Sequence, residues 1–176
     1  MHVKSQRQAF IKSQRQAFVS ELSVLVVDDD PSTLLIADTI LRSMGVANVE
    51  CVYSGSEAFR RLVAGPTVDC ILCDIHMLDG NGFQLLRSVR LGEVRGVRPD
   101  TCFILMSGMT VPDYVQAAAK LDANGYLAKP FTRESLQNAV TKGRFRPIPV
   151  NFAKYASILP HMIGSLAVTS LAPVRA

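Results

Sequence analysis

The feature that most constrains the fold is a short, mostly apolar run at 68–75, with the carboxylate of Asp74 near its end. The run reads VDCILCDI and contains Asp74, and the glycine-rich turn Gly80-Asn81-Gly82 follows it. Such a run, bounded by turn residues, is typical of a strand buried on both faces in a parallel sheet covered by helices. Ligands of open parallel sheets bind at the carboxyl ends of the strands. An Asp after a strand can also simply cap a turn, but its position makes Asp74 the first candidate for a chemical role.

A second acidic group follows another apolar run. The run at 24–27 precedes Asp28, Asp29 and Asp30, and Pro31 comes next. Three adjacent carboxylates repel one another unless solvent, a cation or a basic partner is present. A helix start explains Asp30 beside Pro31, because acidic side chains favour the N-terminal end of a helix, but it does not explain all three. A divalent cation does, and Mg²⁺ is commonly held by one or two carboxylates together with phosphate oxygens.

Strand-like and helix-like segments alternate along the chain. Strands are predicted at 24–27, 49–52, the run ending near Asp74, 101–106 and 125–128. Helices are predicted at 31–44, from the cap at Ser54 to Gly65-Pro66, and at 83–90, 113–121 and 132–142. Alternation of this kind predicts an α/β fold, a doubly wound five-stranded parallel sheet with helices on both faces. Right-handed crossovers leave few other topologies.

Several motifs in this order resemble the receiver domain of two-component response regulators. They are Asp28-Asp29, Asp74 with Met77 and Asn81-Gly82 after it, Ser107-Gly108 after the fourth strand, and Lys129-Pro130-Phe131 after the fifth. The resemblance covers about 22–143 and implies the flavodoxin-like receiver fold. On either side of the receiver we expect a basic N-terminal arm at 1–21 and, at 144–176, a linker followed by an apolar tail.

The resemblance implies a role for each acidic residue. Asp74 would be the phosphoacceptor, a nucleophile that takes a phosphoryl group from a histidine of a sensor histidine kinase. Asp29 and Asp74 would bind Mg²⁺ directly, the backbone carbonyl of His76 would be a third protein ligand, and Asp28 would act through water.

The resemblance also assigns the remaining site residues. Lys129 would place a positive charge against the phosphate, on a Lys-Pro peptide that is typically cis in this family, and Ser107 would donate its hydroxyl to a phosphoryl oxygen. Ser107 and Tyr126 would form the switch, although Tyr126 has the alternative of a static core aromatic. The side chains of His76 and Met109 would border the site and affect the access of water.

The expected function is a signalling receiver that catalyses only its own phosphorylation and dephosphorylation. Its output surface would be the fourth helix, fifth strand and fifth helix, which would bind a downstream protein. One alternative is a phosphorelay shuttle to a histidine phosphotransfer protein, and another is an interaction module that needs no phosphate. A haloacid-dehalogenase-like phosphatase would need an Asp at position 76, where this chain has His76.

The turn after Asp74 departs from the receiver family at one position, because Leu78 stands where proline is usual.

Charge and hydropathy separate the two ends from the domain. Lys and Arg outnumber Asp and Glu by three in 1–21 and by four in 144–176, whereas 22–143 has three more acids than bases. No DNA-binding motif accompanies the basic ends, so no nucleic acid partner is expected. Residues 4–10 repeat unchanged at 12–18. The first twenty residues are polar and show no signal peptide, and this predicts a cytoplasmic protein.

Two further features have alternative interpretations. The stretch 155–174 has no Asp, Glu, Lys or Arg and is long enough to span a bilayer. Its proline, glycine and hydroxyl residues favour a helix docked on the receiver or a partner over contact with a membrane, and a disordered tail is a further alternative. Cys70 and Cys73 have the spacing of a redox or zinc pair, but residues three apart on a strand point to opposite faces, which favours two buried cysteines.

Overall fold

The computed structural model describes residues 21–109 and 111–158. The repeat in the N-terminal arm and the stretch from 159 onward lie outside the described residues. Within the described part of the chain, every helix is too short or too polar to cross a membrane.

Five parallel strands and six helices make up the described fold. The strands are β1 Ser23–Val27, β2 Asn48–Val52, β3 Cys70–Asp74, β4 Cys102–Ser107 and β5 Gly125–Ala128, and the helices are α1 Pro31–Ser43, α2 Gly55–Ala64, α3 Gly82–Arg90, α4 Pro112–Lys120, α5 Arg133–Arg144 and α6 Phe152–Ser157. The sheet order is β2-β1-β3-β4-β5. The predicted fold class is confirmed, and the predicted strand and helix ends lie within two residues of the observed ones.

The sheet is buried between two apolar layers. Every residue of β3 and β4 is buried, as expected for central parallel strands covered on both faces. One layer packs against α1 and α5, and the other packs against α2, α3 and α4. Cys70 lies in the first layer and Cys73 in the second, so the two cysteines of the CxxC sequence point to opposite faces. The sulfur of Cys70 instead lies 3.3 Å from the sulfur of Cys102 on the neighbouring strand.

The turn after β3 is held tightly against the strand it follows. Asn81 caps α3 by accepting a hydrogen bond from Phe83 N at 2.8 Å. A Cβ atom at Gly82 would lie 2.4 Å from the carbonyl oxygen of Asp74, so only glycine fits there. Gly80 has a φ of 105°, which favours glycine. The start of α3 is therefore fixed to the backbone of Asp74.

The segment after α5 packs against the domain, although its prolines indicated a linker. Its helix α6 lies against α3, and Tyr155 is fully buried. The Tyr155 hydroxyl donates a hydrogen bond to Asp122 Oδ2 at 2.9 Å. Arg87 Nε donates to the carbonyl oxygens of Tyr155 and Ile158. The buried ring and these hydrogen bonds attach the segment to the domain, which therefore extends to at least Ile158.

Candidate functional site

Three strand ends place a lysine between two carboxylates. Asp28 follows β1, Asp74 is the last residue of β3, and Lys129 follows β5. Lys129 Nζ lies 2.6 Å from Asp28 Oδ2 and 2.8 Å from Asp74 Oδ1. The peptide between Lys129 and Pro130 is cis, as the resemblance implied. Because the carboxyl ends of parallel strands meet at one edge of the sheet, residues far apart in sequence form one charged group.

Burial and charge act in opposite directions on these groups. Asp28 is fully buried and Asp74 is 5% exposed. Burial raises the pKa of both carboxyls above the ordinary value, although the nearby Lys129 ammonium lowers it. Burial also opposes the charge on Lys129, but the two carboxylates outweigh it and raise the lysine pKa. Two carboxylates therefore face one ammonium group, and the negative charge of Asp28 and Asp74 is only partly compensated by Lys129.

The acidic residues also satisfy the requirements of a hard cation. Carboxylate oxygens of Asp28, Asp29 and Asp74 lie within 4.8 Å of one another. Asp28 Oδ1 accepts a hydrogen bond from Asp30 N, and Asp29 Oδ2 accepts one from Leu78 N, so both side chains are oriented by backbone. Asp28 Oδ2 is buried and accepts no aligned hydrogen bond. This set of oxygen donors fits Mg²⁺, the ion that the sequence predicted.

Asp30 has a separate role. Its carboxylate accepts hydrogen bonds from Ser32 N and Thr33 N and caps α1. The Thr33 hydroxyl also donates to Asp30, and this bond is the largest cause of a lowered pKa, to which the backbone bonds add. The helix-start interpretation thus accounts for Asp30, and the cation interpretation concerns the two preceding carboxylates.

The proposed switch residues both contact the loop that follows β4. Ser107 is buried, its Oγ donates to Met109 O at 2.8 Å, and the same Oγ accepts from Met109 N at 3.0 Å. Tyr126 is half-buried on β5, and its hydroxyl also donates to Met109 O, at 2.6 Å. In this structure the Ser107 hydroxyl is engaged with the loop backbone, and Tyr126 reaches outward to the same carbonyl.

His76 lies two residues beyond Asp74, and its backbone pairs with Asn81 in an isolated antiparallel bridge. Its side chain is half-buried, and the ring Nε2 lies 2.9 Å from the hydroxyl of Tyr114 in α4. Tyr114 was not among the site residues that the sequence indicated. An aromatic residue in the first turn of an alanine-rich helix was the only available signal, and it does not indicate the direction of the side chain.

A family model matches most of the domain. Residues 24–141 match the model described as "Response regulator receiver domain". The sheet order, the acidic group and the lysine described above all lie within this range.

Curated proteins and solved structures show the same similarity. "Probable histidine kinase 6" of Oryza sativa subsp. japonica is 31% identical over 135 residues, which is 68% of this chain and 14% of that protein. "Transcriptional regulatory protein ZraR" of Salmonella typhimurium is 31% identical over 122 residues, 69% of this chain and 26% of that protein. The chain thus spans about a quarter or less of the length of these relatives.

Among solved structures, the chemotaxis response regulator CheY4 of Vibrio cholerae has a TM-score of 0.61 and 27% identity. The alignment covers 69% of this chain and 97% of that chain. The BeF3-activated DrrB receiver domain has a TM-score of 0.60 and 25% identity, with coverage of 71% and 98%. Since the family match covers more than half of the sequence and agrees with the fold and the site, the chain belongs to the response regulator receiver domain family.

Proposed function

We propose that Asp74 accepts a phosphoryl group from a phosphohistidine of a partner histidine kinase. The observation that carries the proposal is the buried Asp74 carboxylate, which lies 2.8 Å from Lys129 and within the acidic group. A carboxylate oxygen attacks phosphorus and forms a P–O bond, while the P–N bond to the imidazole breaks. The electron pair of that bond returns to the ring, which leaves as neutral imidazole when its other nitrogen carries a proton.

Lys129 and the acidic side chains serve this reaction in different ways. Asp74 must be ionised to attack, and the Lys129 ammonium favours the ionised form against the effect of burial. Asp28, Asp29 and Asp74, with the backbone carbonyl of His76, would hold Mg²⁺, which when bound neutralises charge on the carboxylates and on the incoming phosphoryl oxygens. The backbone bonds to Asp28 and Asp29 keep these two carboxylates oriented before any substrate arrives.

The switch begins at Ser107. For its hydroxyl to donate to a phosphoryl oxygen on Asp74, it must give up its bond to Met109 O, which Tyr126 shares. The loop at Met109 and the Tyr126 ring then rearrange together, and the output surface formed by α4, β5 and α5 changes with them. Two features support a protein partner at this surface: a groove of about 600 Å³ beside β5 and α5, and the exposed apolar side chains of Val111 and Val115.

The test is direct phosphorylation of the purified full chain with acetyl phosphate and Mg²⁺, followed by intact-mass measurement. Wild type should gain the mass of one phosphoryl group, and Asp74→Asn should not. Asp79→Asn is the matched control, because Asp79 is an exposed acid in the turn after β3 and belongs to no described acidic group. EDTA should prevent the gain in wild type.

Two outcomes separate the alternatives. A phosphorylated chain that transfers its phosphoryl group to a histidine phosphotransfer protein would be a phosphorelay shuttle, and one that instead changes its affinity for a partner at the output surface would be a switch. If wild type gains no phosphoryl group with Mg²⁺ present, the proposal is wrong and an interaction module that needs no phosphate takes its place.

A further inference from the structure

A hydrogen bond connects Tyr114 of α4 to His76, which lies two residues after Asp74. His76 Nε2 lies 2.9 Å from the Tyr114 hydroxyl, and the two rings lie 5.1 Å apart between centroids with a tilt of 47°. The contact joins residues that are 38 positions apart in the sequence. It lies outside the connection between Ser107 and Tyr126, and the family resemblance assigns no role to Tyr114.

The Tyr114 ring is itself held in place. Its edge packs against Phe83 with a centroid distance of 5.9 Å and an interplanar angle of 67°, an arrangement favourable for aromatic pairs. Phe83 is fully buried in the first turn of α3. That turn is fixed to the backbone of Asp74 through the close approach at Gly82. The hydroxyl that meets His76 therefore belongs to a ring anchored on the same rigid turn as the reactive strand end.

His76 lies in the turn that directly follows Asp74. Its backbone pairs with Asn81 across that turn, and Gly82 N donates a hydrogen bond to the carbonyl oxygen of Ile75, the residue between Asp74 and His76. The His76 side chain is half-buried, whereas Asp74 is 5% exposed. The imidazole is thus more exposed to solvent than the carboxylate two residues before it, which is almost inaccessible.

We propose that Tyr114 is a positioning residue that holds the His76 ring beside Asp74 and so limits the access of water to a phosphoryl group carried there. The inference rests on the proposed function. In hydrolysis, a water oxygen attacks phosphorus, the P–O bond to Asp74 breaks, and the carboxylate and inorganic phosphate are released. A fixed imidazole occupies part of the approach, while a released imidazole moves among its staggered rotamers and opens it.

The variant Tyr114→Phe tests this role because it keeps the ring and removes only the hydroxyl. The protein is phosphorylated with acetyl phosphate and Mg²⁺, freed of phosphodonor by desalting, and followed by intact mass as the phosphoryl group is lost. Tyr114→Phe should lose it about fivefold faster than wild type, the factor expected when one ordinary hydrogen bond is removed. Tyr53→Phe, in which an exposed ring loses its hydroxyl, should match wild type.

A double variant separates positioning from a general effect on packing. If Tyr114 acts through His76, the variant carrying both Tyr114→Phe and His76→Ala loses its phosphoryl group at the rate of His76→Ala alone. Additive effects of the two substitutions would overturn the inference. An unchanged rate in Tyr114→Phe would also overturn it, whereas a wild type that takes up no phosphoryl group would overturn the proposed function as well.

Nitrogen NMR of the imidazole rings gives a second readout that needs no phosphate. The sequence has three histidines, so the His76 ring can be assigned with one variant. Its Nε2 resonance should shift in Tyr114→Phe and stay unchanged in Tyr53→Phe. An Nε2 resonance that is the same in wild type and Tyr114→Phe would mean that the hydrogen bond does not hold the ring, and the inference would fail.

Discussion

Arg90 Nη2, in the last turn of α3, donates a hydrogen bond of 2.9 Å to Asn124 Oδ1, just before β5. Arg90 is fully buried, and burial lowers the pKa of its guanidinium. Its other hydrogen bonds all go to backbone carbonyls, namely those of Pro99, Thr101 and Asp122. Asn124 in turn donates to the carbonyls of Gly143 and Arg146. The two side chains join α3, the loop before β4 and the end of α5.

We expect Arg90→Met to lower the free energy of unfolding by about 3 kcal/mol, because it leaves buried oxygens without donors. Urea unfolding followed by circular dichroism measures the change. Arg95→Met is the control, since Arg95 is exposed, and its effect should stay within about 0.5 kcal/mol. Equal unfolding midpoints for the two variants would contradict the structural role of Arg90.

Replacing Asp74, the proposed phosphoacceptor, should stabilise the metal-free protein at neutral pH. Burial raises the folded-state pKa of Asp74, so its protonated form favours folding below the ordinary carboxyl pKa and this contribution is lost as the pH rises through the raised value. Asp74→Asn removes that loss, and we expect a gain of about 1 kcal/mol at pH 7.

The gain from Asp74→Asn should shrink as the pH falls from 7 toward the ordinary carboxyl value, because the wild-type carboxyl then becomes protonated. Unfolding in urea with EDTA present, at several pH values, measures this dependence. Asp79→Asn serves as the control and should change stability little at any pH. A gain for Asp74→Asn that grows on acidification would show that the sign of the shift is wrong.

Mg²⁺ affinity should respond in opposite directions to the loss of an acid and the loss of the lysine. Asp29→Asn removes a carboxylate from the acidic group and should weaken binding at least about tenfold. Lys129→Met removes the ammonium that lies against Asp28 and Asp74 and should strengthen binding severalfold. Isothermal titration calorimetry with MgCl₂ measures both. If Lys129→Met weakened binding, the lysine would be needed to shape the site and would not compete with the cation.

The helix α6 should contribute to the stability of the whole domain. Tyr155→Phe loses the bond to Asp122 and should cost about 1 kcal/mol, while Tyr155→Ala also leaves a cavity and should cost about 3 to 5 kcal/mol. Phe152→Ala is the control, because Phe152 is 53% exposed. Amide hydrogen exchange of α3 should increase in Tyr155→Ala. Unchanged exchange there would contradict the docking of α6.

Much of the site was predictable because its residues occupy strand ends. In a parallel sheet these ends meet at one edge, so motifs containing Asp28, Asp74 and Lys129 were expected to converge. Apolar periodicity placed the strands and helices for the same reason, since burial on one or both faces leaves a regular pattern. The departure of Leu78 from the usual proline did not prevent the turn, in which Leu78 N donates to Asp29.

The remaining features depend on side-chain directions that sequence spacing does not define. The contact between Tyr114 and His76 needs a particular orientation of α4, and the bonds of Arg90 need three separate chain segments to converge. Docking of α6 depends on the buried ring of Tyr155 and on the bonds from Arg87, and the nearby prolines indicated neither. The sequence also could not tell that the Ser107 hydroxyl is bonded to Met109, because it does not define the direction of the side chain.

The packed segment 144–158 affects how this receiver can be recombined with other proteins. The family match ends at residue 141, and a chimera joined there would omit the partners of Arg87 and Asp122 and uncover the surface beneath Tyr155. Such a fusion would expose apolar surface and change the stability of the receiver at the same time as its output. A junction after residue 158 keeps these contacts, so a change in signalling could then be attributed to the attached domain.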